Sequence, residues 1–340
     1  MKNLKTWSAV LSAASSVAVF LSVDSASQAQ ISTAATSRVV RSFSPPRTPW
    51  GDPDLQGTYT DKDEAGIPME RPREFEGRRL EDITPAELIA LTKARSEQAN
   101  ATARAIGGGS GEDTGAGPSH WYEHLDSKNS RAWLIVDPEN GHIPPRKPGA
   151  RPLPTTPFGP EGTDSYEDRS LYDRCITRGV TGSMLPVIYG NSFQFVQGPG
   201  YVAIREEMVH ETRIIPLGAR LWPRASIRAY MGYAAGRWDG NTLVVETTNF
   251  TGATAVGING NGNPHSDKLR LIERFTPLGP ATLEWSVTVD DPETWTRPWT
   301  FALNLTKDST QQVFEYACHE GNYGLRDILS AARAADRRPR

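Results

Sequence analysis

Residues 201–213, YVAIREEMVHETR, decide the fold of this chain, because apolar and polar side chains alternate along the stretch. A period of two predicts a β-strand whose faces have different surroundings. The more apolar face holds Val202, Ile204, Glu206, Met208 and His210. The opposite face holds the charged side chains of Arg205, Glu207, Glu211 and Arg213. We therefore expect one continuous strand that points the imidazole of His210 into a core.

The same alternation recurs through the C-terminal half, which predicts a run of strands. The predicted strands cover residues 192–197, 201–216, 235–249, 269–275, 282–289, 300–306 and 313–319. Asp239-Gly240, placed between two alternating runs, is a strong hairpin signal. Consecutive antiparallel strands at this spacing are typical of a sandwich or a closed up-and-down barrel. We predict a mainly-β protein with an antiparallel β-barrel and an irregular, partly helical N-terminal region.

Residues 1–29 have the features of a secretory signal peptide. Lys2 and Lys5 precede an apolar stretch at 9–23, and Ser27-Gln28-Ala29 suits cleavage. The alternative is an uncleaved anchor. We expect a periplasmic or secreted protein with no transmembrane segment in the mature chain, since no later segment is apolar over the length of a span.

Three further regions follow the predicted signal. Residues 30–160 are predicted to be an N-terminal extension with Pro- and Gly-rich linkers and one helix at about 85–105. Thr84-Pro85-Ala86-Glu87 marks the helix start, because it combines a capping box with proline in the first turn. The barrel domain is assigned to residues 161–330, and residues 331–340 to a flexible tail.

Charge and cysteine content narrow the function classes. The formal net charge of the 340 residues is −3, and no basic stripe is present, so we expect no nucleic-acid partner. The two cysteines, Cys175 and Cys318, could form a disulfide in an oxidising compartment, which would close a long loop. The alternative is two separate buried thiols.

Polar groups at inward positions are the candidates for chemistry. Glu273 shares a strand face with Leu271 and Phe275, and His210 shares one with Val202, so both would face the barrel interior. A buried His–Glu pair could act in acid–base catalysis. We take His210 and Glu273 as catalytic candidates, with His319 positioning the substrate. The alternative is that His210 and Glu273 are core groups satisfied by hydrogen bonds.

Other residues complete the predicted site. Aromatic inward faces suit a flat apolar ligand. The predicted substrate-binding residues are Tyr316, Trp285, Trp299, Asn249 and His265.

Several histidines and a carboxylate could also hold a divalent metal, so the cofactor stays unknown with a metal as one option. His120 and His124 have i, i+4 spacing, but the glutamate between them, Glu123, does not directly follow the first histidine as the HExxH order of a zinc protease requires, and an exposed loop is the alternative. The small-residue loop at 257–265 is predicted to be a mobile lid over a barrel mouth.

From Cys175 onward the chain resembles a group of exported bacterial proteins of unassigned activity. The resemblance lies in Arg174-Cys175 with Gly179, 208–215 (MVHETRII), 236–250 (GRWDGNTLVVETTNF), Glu273-Arg274-Phe275, Asp291-Pro292 with 295–299, and 316–324 (YACHEGNYG). It covers roughly the C-terminal half and residues 53–59. It implies export and a shared site around His210 and His319, but no reaction. The 237–240 hairpin and the Gly57-x-Tyr59 strand also resemble calycin or lipocalin-type barrels, which implies a fold of that kind.

These observations favour an exported enzyme that uses acid–base or metal-assisted chemistry. The reaction would be of the lyase, isomerase or hydrolase kind, on a partly apolar small molecule held in the barrel. The first alternative is a non-catalytic periplasmic carrier of a small hydrophobic ligand. The second is an envelope scaffold that binds protein, which predicts a filled barrel without a cavity.

Overall fold

The computed structural model describes residues 43–107, 127–154, 162–218, 224 and 226–337. All of them belong to one compact unit, Val40–Arg340. The strands in this part of the chain are Gly57–Thr60 (β1), Ile135–Asp137 (β2), Ser192–Gly198 (β3), Tyr201–Glu206 (β4), Thr212–Pro216 (β5), Tyr233–Asp239 (β6), Thr242–Thr248 (β7), Ala255–Val256 (β8), Asn263–Pro264 (β9), Arg270–Gly279 (β10), Thr282–Asp290 (β11) and Trp299–Lys307 (β12). The α-helices are Pro85–Gly107 (α1), Gly179–Gly182 (α2) and Tyr323–Asp336 (α3).

Nine of these strands form a nearly closed antiparallel barrel whose order follows the chain. From one edge to the other the order is β5, β4, β3, β1, β12, β11, β10, β7 and β6. The first strand pairs with the last, at Tyr59 and Lys307. A ring of nine strands cannot be antiparallel throughout, and the two edge strands meet through a parallel bridge between Leu217 and Gly236. The predicted antiparallel β-barrel is confirmed.

Alternating side chains from β10, β11 and β12 fill the barrel, as the sequence pattern predicts. The buried rows are Leu271, Glu273 and Phe275; Leu283, Trp285, Val287 and Val289; and Trp299, Phe301, Leu303 and Leu305. Ring centroids of Trp285 and Phe301 lie 5.6 Å apart, and those of Phe275 and Phe195 lie 5.4 Å apart. Edge-to-face contacts of this kind add to the large apolar area that each ring buries.

One end of the barrel is covered by residues 175–185, which we call the plug segment. Val180, Met184 and Leu185 of this segment belong to the hydrophobic core. A side chain at Gly182 would lie 2.0 Å from the backbone nitrogen of Gly260, so only glycine permits this close approach. The predicted lid at 257–265 therefore packs directly on the plug segment.

Outside the barrel, the predictions have mixed outcomes. Helix α1 begins at Pro85 as predicted, and Glu87 N–H donates to Thr84 Oγ1 over 3.3 Å while Thr84 N–H donates to Glu87 Oε2 over 2.8 Å. The predicted strand at 313–319 is wrong, because those residues pair with no strand in the described chain. Helix α3 occupies most of the predicted flexible tail. The predicted signal peptide, His120 and His124 lie outside the described residues.

Candidate functional site

The stretch at 201–213 forms two strands rather than one. Strands β4 and β5 form an antiparallel pair, and a one-turn 3-10 helix, Met208–His210, lies between them. Val209 and His210 adopt the left-handed conformation, with φ of 59° and 44°. This conformation is rare for a β-branched residue and stores local strain. The turn ends the alternation, so the predicted inward position of His210 is wrong. Its ring is exposed, and Nδ1 lies 3.0 Å from the carbonyl oxygen of Tyr316.

Arg213 occupies the inward position that the sequence pattern assigned to His210. Its side chain is 5% exposed, and Nη1 donates to Glu273 Oε1 over 3.0 Å, while Nη2 donates to Glu273 Oε2. Trp285 Nε1 donates to the same carboxylate over 3.1 Å. The structure therefore brings Glu273 together with Arg213 instead of His210. Glu273 is ion-paired and hydrogen-bonded within the core, in line with the structural alternative for this residue.

The remaining predicted residues do not gather around Glu273, apart from Trp285. Trp299 is fully buried in the core, and His319 is exposed. His265 is buried between the Thr254 hydroxyl, 2.9 Å from Nε2, and the Ser266 carbonyl, 2.7 Å from Nδ1, and burial lowers its pKa. Asn249 donates to the carbonyls of residues 224 and 227. The substrate-binding roles of these residues stay predictions.

Tyr316 belongs to a group of three phenols, which we call the tyrosine triad. Its hydroxyl hydrogen-bonds to those of Tyr172 and Tyr189, and all three rings are half-buried. The rings of Tyr189 and Tyr316 lie 6.3 Å apart. Burial raises the pKa of both Tyr189 and Tyr316 to about 12. The three hydroxyls are therefore protonated at neutral pH, and they use their O–H groups in hydrogen bonds to one another.

Arg178 lies beneath the tyrosine triad and is fully buried. Its guanidinium stacks on the Tyr172 ring, 5.3 Å from the centroid, and Nη2 donates to Asn259 Oδ1. Within the described chain, Nε and Nη1 have no hydrogen-bond partner. Burial lowers the pKa of this guanidinium, but an arginine remains charged in proteins. Unsatisfied buried donors are costly, and an anion would satisfy them through charge-assisted hydrogen bonds.

Glu206 ends strand β4, and its charge acts on Arg178 more weakly than that of the buried Asp61. It is fully buried, and neither carboxylate oxygen has a hydrogen-bond partner among the described residues. Burial raises the pKa of Glu206 to about 8, although the positive charge of Arg213 and the nearby hydroxyl of Ser183 lower it. Glu206 is therefore largely protonated at neutral pH, and it can gain or lose a proton at pH values near neutrality. Displaced pKa values of this kind are common at functional sites.

A disulfide between Cys175 and Cys318 holds the tyrosine triad together. The two Cα atoms are 5.6 Å apart, although the cysteines are separated by 143 positions in sequence. The bond ties the segment that carries Tyr316 to the plug segment, and Asn322 Nδ2 adds a hydrogen bond to the Asp173 carbonyl over 2.8 Å. Of the two alternatives for the cysteines, the structure shows the disulfide.

We define the Arg178 site as Arg178, Glu206 and the tyrosine triad. Sequence reasoning missed Arg178 because it lies in an irregular segment without periodicity. Glu206 had a usable signal, since it shares the inward face of β4 with Val202 and Ile204.

The chain matches no protein-family model, and no curated protein matches it. In the described ranges, no group of three or more His, Cys, Asp or Glu side chains could hold a metal ion. No described helix is both long enough and apolar enough to cross a membrane.

Proposed function

We propose that this protein is an exported enzyme that carries out acid–base chemistry, of the lyase, isomerase or hydrolase kind, on a small anionic and partly apolar substrate at the Arg178 site. One observation carries the proposal. A fully buried cation with two unpartnered N–H groups, Arg178, lies in the electrostatic field of two buried carboxyls, Asp61 and Glu206, and burial raises the pKa of Glu206 to about 8. Proton transfer near neutral pH is most efficient when the pKa of the catalytic group lies close to the working pH.

Each part of the site has a distinct role in this proposal. Arg178 binds the anionic group of the substrate, which supplies the hydrogen-bond acceptors that its Nε and Nη1 lack. A phenol of the tyrosine triad turns its single O–H from the neighbouring phenol to a substrate oxygen on which negative charge develops, and this stabilises the transition state. Glu206 removes or returns the proton. His210 lies at the outer side, next to the Tyr316 carbonyl.

Export is part of the proposal, and the disulfide supports it. Structural disulfides persist in the periplasm and outside the cell, whereas reducing systems keep cytosolic thiols free. The Cys175–Cys318 bond joins the chain near Tyr172 to the chain near Tyr316, so an oxidising compartment would preserve the site. A periplasmic or secreted location agrees with the signal peptide predicted at residues 1–29.

Hydrogen exchange in D₂O tests the enzymatic proposal without knowledge of the natural product. The probe is 2-oxo-4-phenylbutanoate, which has a carboxylate, an apolar ring and exchangeable protons at C3. We expect the protein to accelerate deuterium incorporation at C3, as followed by proton NMR. The Glu206→Gln variant should lose about a hundredfold or more of this acceleration, as is typical when a general base is removed.

Two further results give this experiment its control and its possible refutation. Glu293 is an exposed carboxylate outside the site, so Glu293→Gln should exchange the probe at the rate of the unmodified protein. The assignment of Glu206 as the proton-transfer group is contradicted if the unmodified protein exchanges the probe no faster than buffer alone does. It is also contradicted if Glu206→Gln exchanges the probe as fast as the unmodified protein.

A carrier of a small apolar ligand is the second candidate function. It is favoured by a cavity of about 520 Å³ at the other end of the barrel, lined in part by Leu55, Tyr59 and Leu283. This volume lies in the range of small-molecule sites. A carrier would bind its ligand without accelerating deuterium exchange, so the same experiment separates the two functions.

A further inference from the structure

The cavity of about 520 Å³ occupies the barrel mouth opposite the plug segment. The turn between β10 and β11, the end of β12 and the approach to β1 surround it. Along these strands the inward rows end in Pro277, Leu283, Lys307 and Tyr59, and all four line the cavity. The filled interior closes the cavity from below, since Tyr59 packs on Phe195 with ring centroids 5.2 Å apart. We call this cavity the mouth site.

Lys307 is the unexpected member of an otherwise apolar row. It follows Phe301, Leu303 and Leu305 at inward parity on β12, and it is half-buried. Its ammonium donates to the Gln56 carbonyl over 2.5 Å and lies 5.6 Å from the centroid of the Tyr59 ring. No carboxylate in the described chain forms an ion pair with it. An ammonium has three donors, so Lys307 retains hydrogen-bonding capacity for a ligand.

The backbone is shaped to keep the lysine in this place. Gly57 has a φ of +136°, and a Cβ there would lie 2.5 Å from Lys307 Cε. The absence of a side chain at Gly57 lets the lysine stem lie flat against β1, with its charge at the cavity wall. Half-buried lysine stems with a directed ammonium combine apolar contact with charge recognition.

The lining also contains one negative group, Asp54. Its Oδ1 accepts a hydrogen bond from the Gln56 amide over 2.9 Å, so this oxygen is engaged by the backbone. Asp54 and Lys307 are not within ion-pair distance of each other in the described structure. The remaining walls combine apolar surface from Leu55, Leu283 and several prolines with the hydroxyl side chains of Ser44 and Thr282.

We infer that the mouth site binds a small amphipathic carboxylate with a flexible apolar tail, of the medium-chain fatty-acid kind. The tail packs against Leu55, Leu283 and the prolines, and the carboxylate accepts a charge-assisted hydrogen bond from Lys307. The site is separate from the Arg178 site, and its occupancy does not depend on the acid–base proposal.

Isothermal titration calorimetry with octanoate tests this inference. The comparison ligand is 1-octanol, which has the same apolar tail without the negative charge. We expect saturable one-to-one binding of octanoate and clearly weaker binding of octanol. Lys307→Met, which keeps the stem, should weaken octanoate binding about tenfold, as expected for loss of one charged hydrogen bond. Asp54→Asn should tighten it severalfold, because it removes a negative charge from the lining.

The controls separate a lost site from a damaged fold. Lys93 is an exposed lysine on α1, outside the cavity, and Lys93→Met should bind octanoate like the unmodified protein. Lys307→Gln is a second variant in case Lys307→Met melts at a lower temperature. The inference is overturned if octanoate does not bind, if octanol binds equally well, or if folded Lys307 variants bind octanoate as tightly as the unmodified protein.

Discussion

The buried ion pair between Arg213 and Glu273 gives the sharpest prediction about stability. Both side chains are at most 5% exposed, and Glu273 also accepts a hydrogen bond from Trp285. Removing one partner of such a pair leaves an uncompensated buried charge, which costs about 3–5 kcal/mol. We therefore expect Glu273→Gln to lower the free energy of unfolding by roughly that amount.

The double variant Arg213→Met with Glu273→Met should recover most of this loss. It removes both charges together, and apolar replacement of a buried pair is often neutral or stabilising. Trp285 Nε1 would lose its acceptor, so we expect a remaining deficit of about 1–3 kcal/mol. A matched surface control is Asp239→Asn, which breaks the exposed 2.9 Å pair between Asp239 on β6 and Arg274, the neighbour of Glu273 on β10, and should leave the free energy of unfolding nearly unchanged.

Guanidinium chloride unfolding at pH 7, with the disulfide intact, measures these differences through the midpoint and the m-value. The structural role of Glu273 is refuted if Glu273→Gln is as stable as the unmodified protein, or if the double variant is less stable than the single one. A Glu273→Gln protein of normal stability that had lost deuterium exchange would instead support the catalytic role that the sequence suggested.

Three further predictions concern the disulfide, Glu206 and His210. Replacing Cys175 and Cys318 together by alanine should lower the free energy of unfolding by about 2–5 kcal/mol, since the bond closes a long loop; an unchanged unfolding midpoint would contradict this. Because the folded pKa of Glu206 exceeds its unfolded value, its stabilising contribution is complete below about pH 4.5 and is lost as pH rises through about 8. The melting temperature should therefore fall between about pH 4.5 and 8, by the equivalent of about 3–5 kcal/mol of unfolding free energy, which is the order of magnitude that the raised pKa implies. The melting temperature of Glu206→Gln should depend less on pH. His210→Ala should change stability by less than about 0.5 kcal/mol, because the ring is exposed; a loss of several kcal/mol on denaturant unfolding would show that its contact with Tyr316 matters more.

The sequence was sufficient to predict the barrel because its strands repeat a strict period of two. The rows on β10, β11 and β12 face inward as their spacing indicates, and the Asp239-Gly240 hairpin forms where the turn signal lies. The stretch at 313–319 also alternates, but β12 already pairs with β11 on one side and with β1 and β2 on the other. No edge is left there for a further strand.

The candidate site was less predictable because it depends on irregular backbone. The turn at 207–211 contains no Gly, Pro or Asn, so nothing in the sequence announces the two left-handed residues that reverse the chain. That turn moves Arg213 inward and His210 outward. Arg178 lies in the plug segment, whose position is set by tertiary packing and by the Cys175–Cys318 bond rather than by local periodicity.

The most direct test of the proposed chemistry is the pKa of Glu206, measured by NMR titration of protein labelled with ¹³C at the glutamate side-chain carboxyl carbons. Comparison with Glu206→Gln identifies its resonance. We predict an apparent pKa near 8, which would leave Glu206 able to transfer protons at neutral pH. A value near 4.5 would mean that Glu206 is ionised beside Arg178 and Arg213, and it would contradict the role of Glu206 in proton transfer.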